Sequence, residues 1–185
     1  AALKGMTVQQ AEECGTQMLM VNTYHCYLRP GPKVIAKAGG VHEFMNWNKP
    51  VMTDSGGFQA FSLADPKLVK ISDNGVEFRS HIDYSKHIFT PESSIAIQEK
   101  LGADVMFAFD ECTPFDASRE YILSSLKRTH SWAERCEKAQ SKKSKKKKKT
   151  YGIIQGGQFK ELRRQSAEFI SSLHFPGYGV GSIFG

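Results

Sequence analysis

The chain has 185 residues, 40% of them hydrophobic and 24% charged, with a formal net charge of +6 and a mean hydropathy of −0.40. That balance describes a soluble globular protein and excludes the membrane and disordered classes, and no apolar run approaches the roughly 18 residues a membrane helix needs. The positive charge is local: residues 142–149 read KKSKKKKK, and without those seven lysines 18 basic residues face 19 acidic ones. The tract is therefore a solvated insertion between two elements, or a flexible arm adding non-specific attraction to phosphates, rather than part of a basic face.

In chain order, the opening AALKGMTVQQ lacks both an initiator Met and a signal-peptide pattern, so the natural start is expected upstream. Thr7 with Gln10 three residues later reads as a capping box opening a helix. MLMV (18–21) is a short apolar strand, followed by NTYHCYLRPG (22–31), rich in hydrogen-bonding side chains and closed by a Pro-Gly turn. PVMT (50–53) is the next strand and leads into TDSGGFQ (53–59). VKIS-DN-GVEF (69–78) reads as a β-hairpin, an insertion at about 68–80 in a strand-to-helix connection. A helix begins after Thr90, with Pro91 at its first position, and stops at Gly102. DVMFAF (104–109) is a strand, and 118–140 a helix with Ile122, Leu126, Ala133 and Cys136 near a 3.6-residue period. YGIIQ (151–155), a helix over 158–173 and YGVGS (178–182) complete the series.

Apolar strands alternating with helices imply a parallel sheet built from βαβ units. Asn22, Asp54, Asp110 and Gln155 each fall at or just past a strand end. A (β/α)8 barrel gathers such ends on one rim, and a doubly wound open sheet gathers them too, so spacing alone leaves both open. With about five strands where a barrel needs eight, a barrel would be incomplete in this chain.

The strand ends carry the candidate chemistry. Asp54 follows its strand directly, Ser55 offers a hydroxyl, Gly56 and Gly57 allow close backbone approach, and Phe58 offers a flat apolar face. Together they suit a planar heterocycle; the alternative is an Asx-turn in which Asp54 only caps the next segment. Asp110 of FDECTP can accept two hydrogen bonds from a guanine-like edge, or serve as a loop cap or ion-pair partner. Cys112, two residues on, reads as a small packed thiol. Gln155 of IIQGG can donate to a carbonyl such as guanine O6, and Gly181 and Ser182 offer backbone amides. The four cysteines, at 14, 26, 112 and 136, show no CxxC and read as free thiols of a reducing cytoplasm rather than disulfides. His25 reads as structural, and His81 and His87 have no ligand spacing, so no metal site is expected within these residues.

Taken in order, NTYHCYLRPG, GGVHEFMNW (39–47), TDSGGFQAFSL (53–63), FDECTP, YGIIQGG and GYGVGS resemble the queuine/preQ1 tRNA-guanine transglycosylase family over nearly the whole chain. The lysine-rich stretch 141–149 has no counterpart in that pattern. The resemblance implies a (β/α)8 barrel, incomplete here over 1–185, and a zinc subdomain beyond the C-terminus whose ligands this chain lacks. It implies no organic cofactor. It implies exchange of the wobble guanine of GUN-anticodon tRNAs for preQ1 or a related 7-deazaguanine, through a covalent tRNA–enzyme intermediate in the cytoplasm. Asp54 matches the proton acceptor, Phe58 the stacking aromatic, Asp110 and Gln155 the groups reading the base edge, and Asn22 a residue supporting the nucleophile. Gly181 and Ser182 match a Gly-Gly pair, a departure at the second position. Ser55, Gly56, Gly57 and Cys112 complete the expected substrate-binding set. The nucleophilic aspartate is expected beyond Gly185, so the chain reads as a fragment that does not catalyse exchange alone, and the family's homodimer is expected of the full length. The inserted base stays open between preQ1, queuine and an archaeal precursor; FDECTP has a bacterial cast, and Gly185 would leave room for a larger 7-substituent. A non-catalytic accessory subunit of a heteromeric transglycosylase is the alternative, and a metal-dependent barrel hydrolase a third reading.

Overall fold

The computed structural model of the chain describes residues 4–62, 68–140 and 150–181. The lysine-rich stretch 141–149, Ser182 and Gly185 lie outside the described residues. Strands numbered along the chain are β1 (Leu19–Val21), β2 (Val51–Thr53), β3 (Lys70–Ser72), β4 (Gly75–Arg79), β5 (Lys86–Phe89), β6 (Val105–Phe107), β7 (Thr150–Ile154) and β8 (Tyr178–Val180).

Five of them form one sheet in the order β1-β2-β6-β7-β8, every pair parallel, with Leu19 opposite Val51, Met52 opposite Val105, Met106 opposite Thr150 and Gly152 opposite Tyr178. Spatial order equals chain order once the β3–β5 unit is set aside. A doubly wound sheet needs a point where that order reverses, and no reversal occurs among the described strands. Among the described strands, β1 and β8 are the edges of this sheet.

The helices are α1 (Val8–Glu13), α2 (Thr23–Leu28), α3 (Pro32–Lys37), α4 (Val41–Met45), α5 (Gly57–Ser62), α6 (Pro91–Leu101), α7 (Arg119–Ala139) and α8 (Lys160–Ser172). Capping chemistry sets the boundaries of two of the four expected helices. At α1 the Thr7 hydroxyl accepts from the Gln10 amide while the Gln10 side chain accepts from the Thr7 amide at 2.8 Å. At α6 Thr90 and Ser93 make the same reciprocal pair, and Gly102 ends the helix in the left-handed region at φ +77°. The helices α2 to α5 have five or six residues each, less than two turns, too short for an apolar period to show in sequence.

The hairpin expectation holds for β3 and β4, which pair across the Asp73-Asn74 turn, but the insertion is larger than 68–80. It is a three-stranded antiparallel sheet extending to Phe89, with Val76 opposite Phe89 and Arg79 opposite Lys86. The second turn closes on Ser80, whose amide donates to the Ser85 carbonyl at 2.9 Å and whose hydroxyl accepts from the Ile82 amide at 3.1 Å. At Gly75 any side chain is impossible, because its Cβ would stand 2.1 Å from the Phe89 carbonyl oxygen.

An aromatic series stitches this small sheet to the large one. Ring centroids lie 5.4 Å apart for Tyr24–Phe78, 5.2 Å for Phe78–Phe89, 6.4 Å for Phe89–Phe109 and 4.9 Å for Phe109–Trp132, and all five side chains are buried. The series runs from α2 through β4 and β5 to the end of β6 and then α7. Trp132 also donates from Nε1 to the Asp73 carbonyl at 2.8 Å, tying the hairpin turn to α7. Trp132→Ala is therefore expected to destabilise the chain by about 3–5 kcal/mol, the cost of emptying a large buried site. Urea denaturation followed by circular dichroism measures it, and a loss below about 1 kcal/mol would contradict this packing role.

Candidate functional site

The site lies where β2, β6 and β7 end. Residue by residue, each strand's last apolar position is followed by a polar group that the local backbone aims to the same side. Asp54, directly after β2, is held from α2: its Oδ1 accepts from the Thr23 amide at 2.8 Å and its Oδ2 from Asn22 Nδ2 at 2.5 Å. Thr23 Oγ1 donates in turn to the Asp54 carbonyl at 2.6 Å. Asn22 divides its amide between two tasks, since its Oδ1 caps α2 by accepting from the His25 amide at 2.9 Å. Burial pushes the Asp54 carboxyl above the ordinary carboxylate value, opposed by hydrogen bonds from Thr23 and Gly56 and by nearby His25.

Asp110 follows Phe109, whose ring is fixed in the aromatic series and whose amide donates to Cys136 Sγ at 3.2 Å. Its Oδ1 accepts from Ser55 Oγ at 3.2 Å and its Oδ2 from Gln155 Nε2 at 2.6 Å. Burial raises its pKa to about 6, against the lowering effect of those two donors, while the charges of Asp54 and Glu111 push it the same way as burial. Among the described residues it caps no helix and makes no ion pair. Gln155 spends its amide on this carboxylate, and its backbone N–H donates to Ser166 Oγ of α8 at 3.1 Å.

A second glutamine sets how the two acidic strand ends sit together. Gln98 of α6 is fully buried and satisfies both sheet strands at once. Its Oε1 accepts from Thr53 Oγ1 at 2.8 Å and the Phe107 amide at 3.1 Å, and its Nε2 donates to the Phe107 carbonyl at 2.9 Å and Ser94 Oγ at 3.1 Å. Ser94 Oγ donates to the Ser55 carbonyl at 2.7 Å. Two helical positions one turn apart thus fasten β2 to β6 directly beneath Asp54 and Asp110.

Asp54, Ser55, Phe58, Asp110, Cys112, Gln155 and Gly181 line one cavity of about 330 Å³. Phe58 also lines it and is 51% exposed. Gly56 and Gly57 stand behind the wall: a Cβ on Gly56 (φ +78°) would meet Phe89 at 2.8 Å, and one on Gly57 the Asp110 carbonyl at 2.9 Å. Their room serves packing of the chain on itself. Asn22 acts through Asp54, and Ser182 lies outside the described residues. Sequence reasoning missed Gln59, Phe107, Ile153 and Val180, which also line the cavity. Gln59 belongs to the TDSGGFQ motif itself, and Phe107 and Ile153 show the strand alternation that would have aimed them there.

Among the described residues no group of three or more His, Cys, Asp or Glu side chains could hold a metal ion, and no helix is long and apolar enough to cross a membrane. None of the four cysteines is in a disulfide among the described residues.

Gly181 closes the cavity on the β8 side. Its amide donates to the Ile154 carbonyl at 2.9 Å, its carbonyl accepts from Arg163 Nη1 at 3.0 Å, and a Cβ there would lie 2.6 Å from Gln155 Nε2. Gly181→Ala is expected to displace the Gln155 amide, a movable side-chain end, and so remove one donor from Asp110. The Asp110 midpoint then rises above about 6, as read by carboxyl ¹³C NMR titration; an unmoved midpoint would count against the contact.

Comparison with known proteins agrees with this site. The family profile described as queuine tRNA-ribosyltransferase matches residues 1–185. Proteins named queuine tRNA-ribosyltransferase from Ruminiclostridium cellulolyticum and Thermoanaerobacter sp. are 50% identical to the chain, and one from Desulforamulus reducens 49%, each over 183 residues. Each alignment covers 99% of this chain and 48% of the relative, so the chain spans about half the length of the curated relatives it matches. On the match along its whole length, the chain belongs to the queuine tRNA-ribosyltransferase family.

Proposed function

We propose that this chain supplies the base-recognition part of a tRNA-guanine transglycosylase, a pentosyltransferase that exchanges the wobble guanine of GUN-anticodon tRNAs for preQ1 or a related 7-deazaguanine. The observation that carries the reading is the convergence of Asp54, Phe58, Asp110 and Gln155 on one cavity of about 330 Å³. In this reading the base lies against Phe58. Its N1–H and exocyclic amine donate to Asp110, and the Gln155 amide turns from Asp110 to the O6 carbonyl.

The chemistry needs a nucleophile at the ribose. We place that aspartate in the part of the relatives' length that this chain does not span. Its carboxylate oxygen bonds to C1′ as the bond from C1′ to guanine N9 breaks, and the pair of electrons leaves with guanine, which takes up a proton. The incoming deazaguanine loses its ring N–H proton to Asp54 and attacks C1′, releasing the aspartate. Splitting one glycosyl substitution in two lowers the barrier of each. A carboxyl raised by burial, with its oxygens already oriented by Asn22 and Thr23, suits a proton acceptor near neutrality.

Zinc stays with the family reading: its ligands would lie outside this chain, and no step here is routed through it. The homodimer and the cytoplasmic setting belong to the same reading, and the relatives' enzyme name gives no support to an accessory subunit.

Two experiments test the proposal. In the full-length protein, Asp54→Asn is expected to reduce incorporation of labelled guanine into tRNA by about 100-fold or more, the usual weight of general acid–base help. Undiminished turnover would remove Asp54 from the mechanism. Guanine affinity is expected to depend on the ionised form of Asp110, so binding strengthens as pH rises through about 6 and weakens tenfold per unit below it. Calorimetric titration between pH 4.5 and 8 checks this, and a flat profile would separate Asp110 from base recognition.

A further inference from the structure

Asp110 and Glu111 are consecutive, yet they face opposite ways. Asp110 looks into the cavity, while Glu111 turns to α7 and is 1% exposed. A carboxylate that deep must be paired and fully hydrogen-bonded. Here one face of α7 does all of it. Arg128 Nη1 donates to Glu111 Oε2, Tyr121 Oη donates to Oε1 at 2.7 Å, and the Glu111 amide donates to Thr129 Oγ1 at 3.1 Å. Positions 121, 128 and 129 fall on one stripe of the helix, so a whole helical face is committed to one residue of the turn.

The same face holds the hairpin. Arg128 Nε lies 3.4 Å from Asp73 Oδ1, and two turns on Arg135 donates from Nη1 to the carbonyls of Asp73 at 2.9 Å and Asn74 at 3.1 Å. Replacing such a buried pair by apolar side chains is often neutral or favourable for stability, so stability is a weak reason for it. Orientation and local charge are what the pair provides that packing would not.

We propose that Glu111 and Arg128 are positioning residues for the base: their buried pair locks the 110–114 turn to α7, aims Asp110 into the cavity, and keeps the charge behind it balanced. This deepens the transglycosylase reading and rests on it for the identity of the base.

The groups facing Asp110 allow a signed test. Asp54 approaches from the end of β2 and Cys136 from α7, while Tyr121 and Arg128 of α7 face Glu111 instead. Glu111 and Cys112 belong to its own segment, Arg163 reaches Gly181 from α8, and Ser55 and Gln155 are neutral donors. Glu111→Gln keeps the shape and removes one negative charge, leaving Arg128 only the exposed carboxylate of Asp73. The double variant Glu111→Gln/Arg128→Gln leaves no buried unpaired charge but no longer clamps the turn.

The measurement is carboxyl ¹³C titration of Asp110 together with guanine titration at pH 7.5, on the chain and both variants. Glu111→Gln is expected to lower the Asp110 midpoint by about half a unit or more. The double variant is expected to bring the midpoint back towards that of the unaltered chain, yet to bind guanine about tenfold more weakly. An unmoved midpoint in Glu111→Gln, or unchanged guanine affinity in the double variant, overturns the proposal. If guanine fails to bind the unaltered chain while the midpoint moves as stated, the reading of the cavity falls and the pair's hold on Asp110 stands.

Discussion

Two carboxylates share one partly enclosed cavity, and the surrounding structure is arranged around the cost of that. Asp54 and Asp110 lose hydration, and the charge of Asp54 adds to the resistance of Asp110 to ionising. Among the described residues neither is relieved by a salt bridge in the cavity. The compensation comes from neutral donors: an amide and a backbone N–H at Asp54, a hydroxyl and an amide at Asp110. Neutral donors orient a carboxylate and favour its ionised form, yet burial outweighs them and both carboxyls stay above the ordinary value. A guanidinium in the same place would hold the carboxylate ionised and would compete with a base for its oxygens.

The supports of those donors explain features that look unrelated. Asn22 is at once the cap of α2 and the holder of Asp54, so the short helix and the acid depend on one side chain. Gln98 and Ser94 fasten β2 to β6 from beneath, and Ser166 fixes the backbone of Gln155. The aromatic series places Phe109 and so gives Asp110 its starting direction. The inserted three-stranded sheet then does more than decorate a loop, because Phe78 and Phe89 form the middle of that series and its turn is held by the helix that holds Glu111.

Where the sequence could be read, the reason is that the signal was local. Inner strands of a parallel sheet appear as apolar runs, and PVMT, DVMFAF and YGIIQ fall on β2, β6 and β7, with MLMV and YGVGS on the edge strands β1 and β8. Capping boxes act within four residues, so Thr7 and Thr90 mark helix starts without help from elsewhere. The strand KHIF escaped notice because its two polar and two apolar residues carry no period-2 alternation, and it is defined by pairing with β4 rather than by its own composition. The family motifs drew attention to Asp54, Phe58, Asp110 and Gln155 because residue type and strand-end position are both visible in a linear chain.

The sequence by itself therefore determined the five strands of the parallel sheet, four of the helices, the strand-end placement of the acids and the family to which the chain belongs. Tertiary structure decided what those residues touch. It turned the two glycines after Ser55 into packing sites, closed the Gln155 amide onto Asp110, added Gln59 to the cavity, and faced Glu111 away from its neighbour towards Arg128, 17 positions later. The physical reason is range. Propensity, capping and alternation act over a few residues, whereas each of these contacts joins segments whose separation in sequence is set only by how the strands line up.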